Sequence, residues 1–277
     1  MYKKYARKPL GKRPRRSAYA KKRSTTRKGT HGVTNAVKRF VKRTIHKNIE
    51  NKSFNPSPVS NTALICASSG QVPFLISVTP DQMSQGTGQG QRIGNQIRPR
   101  YCWLKGQVNA LAYNSSTNPN IAPITVQMFL FKLKPAYTSW QQSTSASYNV
   151  NTTAFFQNGN STQGFLNAPV DEFLQVNSDY FQVIARKKMT ISPGTYLGVG
   201  QSGVDTGMNS GYQAPFKRDF YFRLDTHFKK TLQYTDAQSA VTNDNLYWLV
   251  QPILASGNSG VTPAEIHYVL QYNYEDA

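Results

Sequence analysis

The first 52 residues hold nineteen Lys and Arg against one acid, Glu50, for a net charge of +18, while the whole chain carries +20. Everything after Lys52 therefore shares a net charge of +2, so a polycation is joined to a nearly neutral body. Such asymmetry marks a nucleic-acid or membrane-binding tail on a folded domain. Residues 1–32 contain thirteen cations and no acid: Lys3, Lys4, Arg7, Lys8, Lys12, Arg13, Arg15, Arg16, Lys21, Lys22, Arg23, Arg27 and Lys28. Aliphatic residues are nearly absent, so little apolar burial offsets the entropy of ordering, and the segment is expected to be disordered. Like charges this dense repel one another until a polyanion neutralises them. The expected partner is nucleic acid, contacted through phosphate. Basic clusters such as Lys12-Arg13-Pro14-Arg15-Arg16 also suit a nuclear localisation signal, with host import factors as partners.

From about residue 33 to residue 50 the pattern changes. Val33, Val37, Phe40, Val41, Ile45 and Ile49 recur at helical spacing, with Lys38, Arg39, Lys42, Arg43 and Lys47 on the opposite side. With Thr34 as N-cap, this predicts a short basic amphipathic helix. Its cations extend the phosphate-binding set, and its apolar stripe suits packing under a β domain or lying on a membrane. Residues 1–52 thus form an arm, and residues 53–277 a folded domain opening with a Pro-containing linker at 53–60.

Within the domain the period becomes two. Strands are expected at 62–66 and 72–78. A third strand places Cys102, Leu104, Gly106, Val108 and Ala110 on one face, with Trp103, Lys105, Gln107 and Asn109 on the other. Residues 124–133 are apolar on both sides and read as a central strand. A long excursion at 135–179 carries at most short helical pieces, for example at 170–176. Residues 180–185 and 189–191 read as strand pieces separated by a turn at Arg186-Lys187-Lys188. Phe220, Phe222, Leu224, Thr226, Phe228 and Leu232 alternate with polar residues as one half-buried strand, and further strands follow at 246–254 and 265–274. About eight strands with long connections predict an all-β fold, a single jelly roll of two packed antiparallel sheets.

No catalytic constellation is recognisable, and neither an enzyme nor a cofactor is expected. Gly86-x-Gly88-x-Gly90 lacks the Gly-Lys-Ser/Thr ending of a phosphate loop. Four histidines are scattered, with His227 and His267 on polar strand faces. Asp219, Asp225, Asp236 and Asp244 could supply an interfacial Ca²⁺ site, but ordinary surface charge explains them better and no metal site is assigned. Cys66 and Cys102 suit buried thiols in a reducing compartment, with a single bridge between them the alternative, and the longest apolar run, residues 72–78, is too short to span a bilayer. No groove-reading helix or stacking platform is recognisable, so the body is not expected to read bases.

Gly90-Gln91-Arg92-Ile93-Gly94-Asn95-Gln96-Ile97, followed by an aromatic strand ending Leu104-Lys105-Gly106, resembles the capsid proteins of small circular single-stranded DNA viruses that encode a replication initiator. Tyr180-Phe181-Gln182-Val183-Ile184 and the later Phe-rich basic strand continue the likeness over residues 60–275. The resemblance implies a jelly roll closing into an icosahedral homo-oligomer of about sixty copies. It also implies arms on a single-stranded genome, DNA in preference to RNA, and a place in the virion and the host nucleus. Loops with Trp140, Phe155, Phe156 and Tyr212 would then be subunit interfaces, and Arg92 a structural residue holding a carboxylate or carbonyl. The alternatives are a cellular nucleic-acid-binding protein or chaperone with a β-sandwich domain, and a membrane-active β protein.

Overall fold

The computed structural model describes residues 36–40, 51–66, 73–111, 122–134, 150, 152–159, 161–192, 216–235, 240–255 and 260–276. The chain divides into two units, Met1–His46 and Lys47–Ala277. In the first, residues 36–40 are α-helical, inside the span where the periodicity predicts a helix. The remainder of the predicted arm and helix lies outside the described residues.

The second unit is all-β and antiparallel. Its strands are β1 (Asn51–Phe54), β2 (Val59–Cys66), β3 (Phe74–Ser77), β4 (Gln96–Ala110), β5 (Ile124–Leu133), β6 (Phe156–Asn158), β7 (Ser161–Gln163), β8 (Gln175–Val176), β9 (Phe181–Ile191), β10 (Lys217–Arg223), β11 (Leu232–Gln233), β12 (Tyr247–Leu254) and β13 (Val261–Asp276). The sequence pattern predicts about eight strands, whereas thirteen are present among the described residues.

One sheet runs β1–β13–β4–β10, with β2 also on β13 and β11 also on β4. Its two edges are thus each made of two pieces. β2 pairs with the first half of β13 and β1 with its last residues, Asn51 opposite Glu275 through Phe54 opposite Tyr272. Only residues 55–58 separate these two strands, so the linker is shorter than expected, and Lys52 belongs to the body. Pro56 and Pro58 fall in this break, where no ladder hydrogen bond is lost. The second sheet runs β3–β12–β5–β9.

The two sheets pack face to face. Leu104, Val108, Ile266, Leu270 and Tyr272 from the first meet Val126, Met128, Leu130, Trp248 and Val250 from the second in one buried core. Gly106 lies where β4 approaches β13 and β10. A Cβ there would come within 2.0 Å of the His267 carbonyl oxygen and 2.7 Å of the Phe220 ring, so no other residue fits without displacement.

A second core lies on the other face of the β3–β12–β5–β9 sheet. Phe129, Phe131, Tyr247 and Leu249 meet Phe155, Phe156 and Phe165 from the segment inserted between β5 and β9, which carries a small sheet, β7–β6–β8. Covering both faces explains why β5 and β12 read as unbroken apolar runs. Phe155 and Phe156 are fully buried, so they are core residues and not the interface residues expected of that loop. Trp140 and Tyr212 lie outside the described residues. The helical piece expected at 170–176 is a 3-10 turn, Pro169–Glu172, followed by β8.

Two strand assignments change. β9 is continuous through Arg186, Lys187 and Lys188, which pair with Phe129, Met128 and Gln127 of β5. Arg186 Nε donates to Gln127 Oε1 at 3.1 Å, its NH2 to the Glu172 carbonyl at 3.0 Å, and Lys188 pairs with the Glu172 carboxylate. β9 is an edge, and basic residues guard such edges against pairing with other chains. The long alternating strand, by contrast, ends at Arg223. Beyond it His227 N and Phe228 N both turn back onto the Leu224 carbonyl, at 2.9 and 3.3 Å. The turn returns Leu224 and Phe228 to the same core, which is why the alternation continues past the strand. His227 therefore sits in a turn, not on a strand face.

Candidate nucleic-acid interface

Of the eighteen cations assigned to phosphate binding from sequence, Lys38 and Arg39 fall among the described residues. Both are exposed on the helical residues 36–40. The other sixteen lie outside the described residues.

The body holds a surface that the sequence reasoning missed. The four-stranded sheet has its outer face covered by the β7–β6–β8 insert, whereas the outer face of the β1–β13–β4–β10 sheet carries exposed aromatic residues. On β4 the outward positions include Tyr101, Trp103 and Lys105. On β10 they include Tyr221, opposite Lys105, and Arg223, opposite Trp103. Tyr101 is 66% exposed and Tyr221 56%. The Lys105 ammonium stands 4.2 Å from the centroid of the Trp103 ring. A register shift in the β13–β4 ladder between Asn273 and Tyr274 adds one residue to β4 at Arg100. Such a bulge re-aims side chains, and Arg100 and Tyr101 are consecutively exposed here. The signal was present in the sequence, since alternation places Trp103 opposite Leu104 and Tyr221 opposite Phe222. What the sequence hid was that nothing described covers this face.

Several charges on the face are paired. Arg223 Nε and NH2 grip the Asp225 carboxylate at 3.0 and 2.9 Å. Burial pushes Asp225 up, but the Arg223 hydrogen bonds, the Cys102 N–H and the Arg223 charge outweigh it and hold the carboxyl below the usual range. Asp225 in turn raises the Arg223 guanidinium by hydrogen bonding and by charge. Arg100 NH2 lies 2.5 Å from Glu275 and Arg98 NH1 3.8 Å from it. Glu265 meets His267 Nε2 at 3.1 Å.

Beside this sheet the Arg92 loop is a structural joint. Arg92 is buried, and its NH1 donates to the Gly94 carbonyl at 2.7 Å and to Asn95 Oδ1 at 2.9 Å. The guanidinium lies 4.5 Å from the Tyr234 ring centroid, beside β11. It holds a carbonyl, as expected of a structural arginine.

The described acidic residues of the set considered for a metal site are placed apart from one another. Asp244 binds Lys132 at 2.6 Å, Asp225 binds Arg223, and Asp219 is exposed on β10. Asp236 is outside the described residues. Among the described residues no cluster of three His, Cys, Asp or Glu could hold a metal ion. A cleft of about 490 Å³ opens between the β1–β2 edge and β3, lined by Phe54, Val59, Ile76 and Tyr268. On its wall the hydroxyls of Ser77 and Thr79 both donate to Asp81, whose other oxygen accepts the Val241 N–H at 3.1 Å. That carboxylate ties two loops together. No family model and no curated protein matches the chain.

Proposed function

We propose that the chain is a viral capsid protein whose copies close into a shell and package a single-stranded genome through the basic arm. The observation that carries this reading is the strand order. Setting aside the β7–β6–β8 insert, and counting each two-piece edge as one position, leaves eight strand positions in two four-wide sheets. One sheet is β1/β2, β13, β4 and β10/β11, and the other is β3, β12, β5 and β9. The chain crosses between sheets at every main connection except β5 to β9, which share one. This strand order supports the reading of the body as a jelly roll, a fold that recurs in viral shells. The fold alone does not define a function. The +18 arm supplies the second half of the argument, because a shell that holds nucleic acid needs counterions on each copy. The resemblance around Arg92 points the same way and suggests a circular single-stranded DNA genome.

The test is the size of the purified full-length protein, by sedimentation and negative-stain imaging with and without nuclease. Closed megadalton particles holding nuclease-protected nucleic acid are expected. A monomer or small oligomer under all salt conditions would replace this reading with that of a nucleic-acid chaperone.

A further inference from the structure

We infer that the outer face of the β1–β13–β4–β10 sheet is a second contact surface for single-stranded nucleic acid, where Tyr101, Trp103 and Tyr221 stack on bases. The inference rests on the packaging reading and adds to it a site on the folded body.

Three features carry it. First, the aromatic residues are clustered by register. Tyr101 and Trp103 are alternate residues of β4, about 7 Å apart, with Tyr101 exposed and Trp103 half-buried beneath the Lys105 ammonium, which a base stacking on the indole would displace. Tyr221 is brought beside this column by its pairing with Lys105. Flat aromatic side chains on an open sheet bind single strands through the π-faces common to all bases. Second, the face is charged among its rings. Arg98, Arg100, Lys105, Lys217 and Arg223 share it with Asp219, Asp225, Glu265 and Glu275. Of these, Lys105, Lys217 and the four carboxylates are residue types depleted at the centre of a protein–protein interface, whereas arginine and aromatic residues occur on both kinds of surface. Because the charges nearly balance, the surface would bind by stacking and not by counterion release. Third, attraction for the strand is supplied from nearby in the chain. The polycation of residues 1–50 is covalently continuous with β1, an edge strand of this same sheet, so a strand bound by the arm would be tethered to the body and its effective concentration there raised. The arm supplies salt-dependent capture, and the platform adds a salt-independent increment.

The experiment measures affinity of the full-length chain for an oligothymidylate across a salt series, with photo-crosslinking of an iodouracil-substituted probe. The test variants are Tyr101→Ala/Trp103→Ala/Tyr221→Ala and the corresponding triple change to Phe. The alanine variant should bind on the order of a hundredfold more weakly or worse at every salt concentration, with the slope of log affinity against log salt unchanged. The phenylalanine variant should stay within about threefold of the native protein, since its rings still stack. Crosslinks on the native protein should map to the peptides containing residues 101, 103 and 221. Crosslinks confined to the arm, with the alanine variant binding as the native protein does, would overturn the inference and leave the packaging reading intact. Unchanged strand affinity with lost particle assembly would make the face a contact between copies and would also overturn it. A native protein that fails to bind the probe even at low salt would remove the packaging reading and the inference together. The crosslinking arm decides the matter if the alanine variant fails to fold.

Discussion

The Lys52 ammonium lies 2.9 Å from the carboxylate of Asp276, the penultimate residue, with the lysine side chain fully buried. Lys52 also donates to the Gln91 carbonyl at 3.1 Å, and Asp276 accepts the Ile93 N–H. The first strand after the arm, the loop of the Arg-Ile-Gly-Asn string and the C-terminal strand therefore meet at one ion pair. Of the nineteen cations before residue 53, this one is structural.

Replacing Lys52 by Ala leaves the Asp276 carboxylate largely buried without its countercharge. Loss of one partner from a buried pair costs about 3 kcal/mol. Thermal unfolding of Lys52→Ala should fall accordingly, and added salt should change the deficit little. A melting temperature equal to that of the native protein would show that β1 contributes nothing to body stability.

Phe222 and Phe228 face one core from a strand and from the turn after it, 7% and 8% exposed. Truncating either to Ala should cost about 3–5 kcal/mol through lost burial and the cavity left behind. Tyr221→Ala, adjacent to Phe222 but outward, should change stability by about 0.5 kcal/mol or less. Urea unfolding of the three variants checks the assignment of faces. Equal losses at 221 and 222 would contradict the register.

Much of this architecture is legible in the sequence where a strand has one wet face or is buried on both. β13 shows Ile266, Tyr268, Leu270, Tyr272 and Tyr274 on one side, and all five are buried. β5 spans Ile124–Leu133, the residues the apolar run predicts, and is internal to its sheet. The pattern misleads where partners distant in sequence decide. Arg186 reads as a turn residue until Gln127 and the Glu172 carbonyl satisfy its guanidinium. Phe228 reads as strand because a turn can return a side chain to the core as well as a strand can. The aromatic platform was hidden for a different reason. Alternation puts Trp103 and Tyr221 outside, but only the covering of the opposite sheet by Phe155, Phe156 and Phe165 identifies which outer face stays open.

Burial pushes the Cys102 thiol up to about 12, with the Asp225 charge adding to the rise, and burial raises Cys66 as well. Neither thiolate is accessible in the folded body, and both cysteines are free. A thiol-reactive dye at pH 8 should therefore label neither cysteine until denaturant is added, and then label both. Rapid labelling of the native protein would contradict the packing of β2 and β4.

The β6–β7 hairpin joins Asn158 to Ser161, with exposed Gly159 in the left-handed region at φ 62°. A short peptide tag inserted after Gly159 should leave the body folded, because this polar tip buries little. A shifted circular-dichroism melt in the tagged protein would place the tip in the core of the insert.

The central claim is that the arm loads nucleic acid into a shell built by the body. The most direct test is the ratio of nucleic acid to protein in purified particles of the full-length chain and of a chain lacking residues 1–32. The deletion removes thirteen positive charges per copy while retaining every described residue of the body. Particles should still form, carrying roughly a quarter to a third of the full-length load, since phosphate neutralisation scales with the cations supplied. Particles of the truncated chain that package at the full-length ratio would contradict the account.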